Sequence, residues 1–216
     1  MVVWAPDGNY RHHPDAVAPY RWSAELAAAH FETIGHVEVL LRNFISSRLE
    51  AASAPGTWFE GQNRYHFSGP AQKSIDKARR RLTGPVTSGR PVAEPTFDFW
   101  RFLLVKRHEG AIWRTLLPQG MPHYPAPRSR GAFEGHVDRI HRARNRIAHH
   151  EPLARADPDR ENRDLDRLWD DLRTVGGWID PDAPDWIMGK SRIHIVRPLR
   201  PGMMLRSGAT PTREES

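Results

Sequence analysis

From Tyr20 to Ala52 the chain runs without a proline, and Leu26, Ile34, Val37, Leu41, Phe44 and Ile45 return at steps built from threes and fours. An α-helix turns once every ~3.6 residues, so this spacing draws one apolar stripe along a single long helix. Such a helix cannot bury its stripe alone, and the rest of the chain must supply partners. The partners also read as helices. Ala71 to Leu82 is a short, strongly basic one. Phe97, Trp100, Leu103 and Leu104, followed by Ile112, Trp113, Leu116 and Leu117, predict an apolar helical region broken near Gly110 and stopped by Pro118. Ser129 to His150 and Pro158 to Val175 complete the set, and Asp182 to Gly189 adds a turn around Trp186. With no strand alternation and no internal repeat, the expected class is all-α, a helical bundle of about five or six helices.

Pro6, Gly8 and Pro14 mark residues 1–18 as an irregular N-terminal arm, and residues 19–189 read as one helical domain. Ala54-Pro55-Gly56 ends the first helix, and Thr57-Trp58-Phe59 reads as a packed loop. Residues 190–216, with Pro198, Pro201, Gly202, Gly208 and Pro211, read as a basic, loosely ordered C-terminal tail. The 216 residues are 38% hydrophobic and include 8 Trp and 8 Phe, which excludes global disorder. The absence of cysteine removes disulfides, thiol nucleophiles and Cys-ligated zinc, so chemistry must come from His, Arg, carboxylates or hydroxyls. No apolar run approaches ~18 residues, and the first residues lack a basic and then apolar leader pattern. The expectation is a cytoplasmic protein with no membrane partner.

The net charge of +6 invites a nucleic-acid reading, but it is unevenly spread. Lys190, Arg192, Arg197, Arg200, Arg206 and Arg213 against Glu214 and Glu215 place +4 in the tail, leaving +2 for everything before it. Lysine occurs only at 73, 77, 106 and 190. Arginine suits bidentate phosphate contact, although coding bias produces the same ratio. Within the basic helix, Lys73, Lys77, Arg80 and Arg81 read either as an RNA-backbone contact or as a solvated charged face.

The helix from Ser129 carries the chemistry. At ~100° per residue, Phe133, Val137, Ile140, Ile147 and Ala148 share one stripe, and Arg144 falls among them. An arginine on the seam is costly to bury unless it is paired with an internal carboxylate or kept for an anionic ligand. His141, Asn145 and His149 form a polar strip leading off that seam, while His150 points away. Arg139, Arg142 and Arg146 lie opposite and read as a solvated basic face. Pro152 disfavours α conformation at Glu151, so the helix is expected to stop near His150.

The run Arg144-Asn145-Arg146-Ile147-Ala148-His149-His150-Glu151-Pro152 resembles the signature of the HEPN superfamily, and more narrowly its Abi-like (abortive infection) branch. His36 to Asn43 resembles that branch's first-helix Glu-x-x-x-Arg-Asn pattern, with Glu38, Arg42 and Asn43 in place. Phe97-Asp98-Phe99-Trp100 and Leu116-Leu117-Pro118 resemble its middle segment, so the likeness spans about residues 20–190. The proline-rich stretch Pro118 to Pro127 departs from the pattern. The resemblance implies a metal-independent endoribonuclease, a toxin or phage-defence effector with RNA as substrate, needing no cofactor and held in check by an RNA or protein antitoxin. It also implies a homodimer with two motifs face to face.

Spacing gives a physical reason for pairing. Arg144 and His149 lie about 7.5 Å apart along the axis and about 140° around it, too divergent to grip one phosphate comfortably from one helix. In the expected mechanism His149 takes a proton from a ribose 2′-hydroxyl, Arg144 steadies the phosphoryl oxygens, and Asn145 orients the histidine or contacts the ribose. A non-catalytic HEPN-like RNA-binding or scaffold domain is the alternative, with Arg144 and histidine holding phosphate or pairing internally with Glu38. Glu38 and Arg42, four apart, also read as a local helix salt bridge. A zinc hydrolase fits poorly, since no His-Glu-x-x-His pattern occurs, and no metal is expected.

Overall fold

The computed structural model describes residues 17–54, 57–60, 65, 67, 69–81, 96–155 and 157–201. These residues form helices α1 (Val17–Ala51), α2 (Pro70–Arg81), α3 (Phe97–Phe102), α4 (Arg130–Ala148), α5 (Pro158–Ile179), α6 (Ala183–Lys190) and α7 (Ile193–Val196). Among the described residues there is no strand, and the all-α class read from the periodicity is the one observed. No helix among them is long and apolar enough to cross a membrane.

All six stripe residues of α1 are buried. Ile34, Val37, Leu41, Phe44 and Ile45 pack into a main core with Trp58, Phe59, Phe97, Phe99, Trp100, Ile112, Trp113, Phe133, Val137 and Ile140, while Leu26 belongs to a second cluster. Each large side chain removed from water contributes about 1.5–3 kcal/mol, so this aromatic-rich centre dominates the favourable side of folding. Thr57-Trp58-Phe59 packs as expected, as a 3-10 turn at Trp58–Glu60 with Trp58 and Phe59 buried. Helices α4 and α5 run antiparallel, since Phe133 meets Trp178 at one end while Arg139 meets Asp171 further along.

The segment after Phe97 breaks earlier than Gly110. Helix α3 ends at Phe102, followed by a 3-10 turn at Lys106–His108 and a π-helical turn at Glu109–Trp113 that contains Gly110. Phe97, Phe99, Trp100, Leu103 and Leu104 are all buried, which leaves only a narrow polar edge at Asp98 and Arg101. The segment crosses the core as short pieces.

The C-terminal boundary also differs from expectation. Ordered packing does not stop at 190. Ile193 and Val196 of α7 bury against Trp22, Leu26 and Ala29 of α1 in a second cluster, and Trp22 Nε1 donates to the Val196 carbonyl at 2.9 Å. Thr33 and Ser191 share a hydroxyl hydrogen bond of 2.8 Å. Three of the supposed tail cations are spent within the domain: Arg192 pairs with Glu32, Arg197 with Asp166, and Arg200 with buried Glu161 at 2.8 Å. Residues 202–216, and residues 1–16 of the expected arm, lie outside the described residues, while Val17 and Ala18 belong to α1.

Candidate functional site

Helix α4 starts cleanly, with the Ser129 hydroxyl accepting from the Ala132 amide at 3.3 Å. Its end is more informative. The helix closes at Ala148, two residues short of the expected end, with His149 as C-cap. The His150 amide donates to the Ile147 carbonyl at 2.9 Å and the Glu151 amide to the Arg146 carbonyl at 2.8 Å. This pair of bonds is a Schellman motif, whose C′ residue must enter the left-handed region. His150 occupies it with φ 58°, where glycine is the usual residue. Both His149 and His150 are exposed.

Arg144 lies at the edge of the apolar stripe, not within the core. Its side chain is 30% exposed: the fully buried residues of α4 end at His141, and beyond it Ala143 and Ile147 are only partly buried against the core. The guanidinium sits 5.8 Å from the ring centre of Phe31, itself 43% exposed on α1. Its Nη1 donates to Asn145 Oδ1 at 3.3 Å. Its Nε is 4.0 Å from Glu38 Oε2, too far for a hydrogen bond, and is buried without one. Glu38 therefore faces across to α4. Arg42 sends its Nε towards Asn43 Oδ1 at 3.5 Å, so the local Glu38–Arg42 salt bridge does not form, although Arg42 lies near enough to act on Glu38 electrostatically. Asn43 is exposed and joins the group only through Arg42. Burial pushes the Glu38 carboxyl above its usual range, against the opposing pull of Arg144, Arg42 and His141.

His141 is buried on the polar strip, and its ring meets Phe97 edge-on at 5.4 Å. Its Nε2 is 2.6 Å from Asp98 Oδ1 and 3.1 Å from Asn145 Nδ2. Asp98, on the first turn of α3, is a member that residue spacing did not single out. The structure thus gathers Glu38, Asp98, His141, Arg144 and Asn145 from three helices, with the two exposed imidazoles one turn further along α4.

The arginines on the far side of α4 are not a free solvated face. Arg139 is bound to Asp171, Arg142 to Asp138, and Arg146 to the Pro152 carbonyl and Glu151. On α2, Lys73, Lys77 and Arg80 are exposed while Ala71 and Ile75 bury, so this helix shows a basic face on an element that packs against α3. Arg81 ends α2, and its side chain lies outside the described residues.

Chemically, the cluster offers a guanidinium with an unsatisfied N–H, an amide, and imidazoles able to accept or donate a proton. Among the described residues no group of three or more His and carboxylate side chains is arranged to hold a metal ion. No family model, curated protein or solved structure matches the chain.

Proposed function

We propose that this protein is an Abi-like member of the HEPN superfamily, an endoribonuclease that needs no metal and acts as a toxin or abortive-infection effector. The observation that carries the reading is the polar cluster of Arg144, Asn145 and His141 along the last turns of α4, faced by Glu38, with the exposed His149 and His150 following at the end of the same helix. His149 accepts the proton of a ribose 2′-hydroxyl, whose oxygen attacks the adjacent phosphorus. Arg144 holds the charge that grows on the phosphoryl oxygens. The 5′-oxygen leaves with a proton supplied by a second histidine, giving a 2′,3′-cyclic phosphate and a 5′-hydroxyl. The second histidine comes from another copy of the chain, because Arg144 and His149 diverge by about 140° around one helix. RNA contacts extend to Lys73, Lys77 and Arg80 on α2, and an RNA or protein antitoxin restrains the enzyme.

A second reading, an RNA-binding or scaffold domain without catalysis, draws support from one observation. Glu38 already faces Arg144 from 4.0 Å and partly neutralises it. Incubation of the purified protein with a mixed RNA pool in chelator, followed by sequencing of cleaved ends, separates the two. Cyclic-phosphate ends that persist in chelator support the nuclease, and intact RNA with retained binding supports the scaffold.

A further inference from the structure

One nitrogen of His141 is claimed twice. Its Nε2 lies 2.6 Å from a carboxylate oxygen of Asp98 and 3.1 Å from the amide nitrogen of Asn145. A carboxylate only accepts, so the Asp98 contact requires a hydrogen on Nε2. An Nε2 that donates to Asp98 has no lone pair left to accept from Asn145. The amide cannot answer by turning over, because Arg144 Nη1 donates to Asn145 Oδ1 and fixes the oxygen on that side. The Asn145 NH2 group therefore faces a donor, and its hydrogens are left for something else.

We infer that Asp98 is a positioning residue of this site: by holding the Nε2–H form of His141, it prevents His141 from capturing Asn145 and leaves the Asn145 amide free to donate to an anionic phosphate or ribose oxygen beside Arg144. The inference rests on the proposed RNA chemistry for its consequence, but its structural half stands independently. Without Asp98, His141 shifts its hydrogen to Nδ1 and accepts from Asn145 through Nε2. The arginine then keeps its neighbour, and the ligand loses one of the amide's two hydrogens.

Asp98 is 68% exposed, so substitutions there leave the core intact. The test compares Asp98→Ala with Asp98→Asn, whose side-chain oxygen still accepts from Nε2. Nitrogen-15 spectra of the His141 ring are expected to show the Nε2–H form in wild type and Asp98→Asn, and the Nδ1–H form in Asp98→Ala. Cleavage of single-stranded RNA is expected to fall about 10- to 100-fold in kcat/KM for Asp98→Ala, the scale of one lost hydrogen bond to a charged group, and to recover in Asp98→Asn. Asn145→Ala is expected to cost the same alone as when combined with Asp98→Ala. An unchanged His141 tautomer in Asp98→Ala overturns the inference, as does a changed tautomer with unchanged kcat/KM. If wild type cuts no RNA, the nuclease reading fails by itself, and the dissociation constant for the same RNA takes the place of kcat/KM. The same ranking of variants then supports the inference, and equal affinities, or no binding, overturn it.

Discussion

Arg139 on α4 donates to Asp171 on α5 through Nε and Nη2, both at 2.7 Å, with the Asp171 carboxylate only 3% exposed. His136 Nδ1 adds a third contact to the same carboxylate at 2.6 Å. This fork locks α4 to its antiparallel partner α5 and fixes the rotation of α4, and hence where its last turn presents His149.

The lock predicts an asymmetry. Arg139→Ala strands a buried carboxylate with His136 alone, and its cost is expected to be about 3 kcal/mol. Asp171→Asn leaves an arginine that water can reach and is expected to cost less. Urea unfolding midpoints of the two variants check the order, and a larger loss for Asp171→Asn contradicts it.

His30 predicts a pH dependence. Burial lowers its pKa from 6.5 to about 4, with Nδ1 bound to the Leu26 carbonyl and Nε2 buried without a hydrogen-bond partner. As pH falls from 6.5 towards 4, the unfolded chain gains a proton that the folded chain refuses, so stability present above pH 6.5 is lost. The full effect is about 3 kcal/mol. His30→Leu is expected to flatten thermal stability across this window relative to wild type. Parallel slopes for the two proteins contradict the assignment.

The C-terminal clamp predicts where the chain can be cut. Deleting residues 202–216 removes Arg206 and Arg213 together with Glu214 and Glu215, no net charge, and is expected to leave the salt dependence of RNA binding unchanged. Deletion from 198 also removes Arg200 and leaves Glu161 buried beside only the Arg155 amide, at a cost of about 3 kcal/mol. Calorimetric melting of both truncations tests this, and equal melting temperatures contradict it.

Much of the frame was legible because periodicity reports burial. The α1 stripe is buried at every position named, and Pro55 and Pro152 placed the ends of α1 and α4 within a few residues, whereas Gly110 did not mark the end of α3. Pairings between helices were not legible. A helical wheel puts Arg139 opposite the apolar seam but cannot say that α5 brings Asp171 there. It sets Arg144 on the seam but cannot say that full burial along α4 ends at His141. Asp98 escaped because its partner is 43 residues away and the contact exists only once α3 docks on α4. The packing of α7 escaped because charge and proline content outweighed the short Ile193–Val196 pair.

His150 predicts a separation of stability from chemistry. At φ 58° a side chain costs about 1 kcal/mol relative to glycine, so His150→Gly is expected to raise the melting temperature. The same variant is expected to retain most RNA cleavage, because His149 is the assigned base. A lower melting temperature contradicts the backbone argument, and a stable but inactive variant moves the catalytic role to His150.

The central claim is tested most directly by RNA cleavage in the presence of a chelator, comparing wild type with Arg144→Ala and His149→Ala, each checked for folding by thermal melting. The account predicts cyclic-phosphate ends from wild type and a loss of about 10²–10⁴-fold in rate for His149→Ala, with Arg144→Ala also inactive. A folded His149→Ala protein that cuts RNA at the wild-type rate, or wild-type cleavage that stops in chelator, contradicts it.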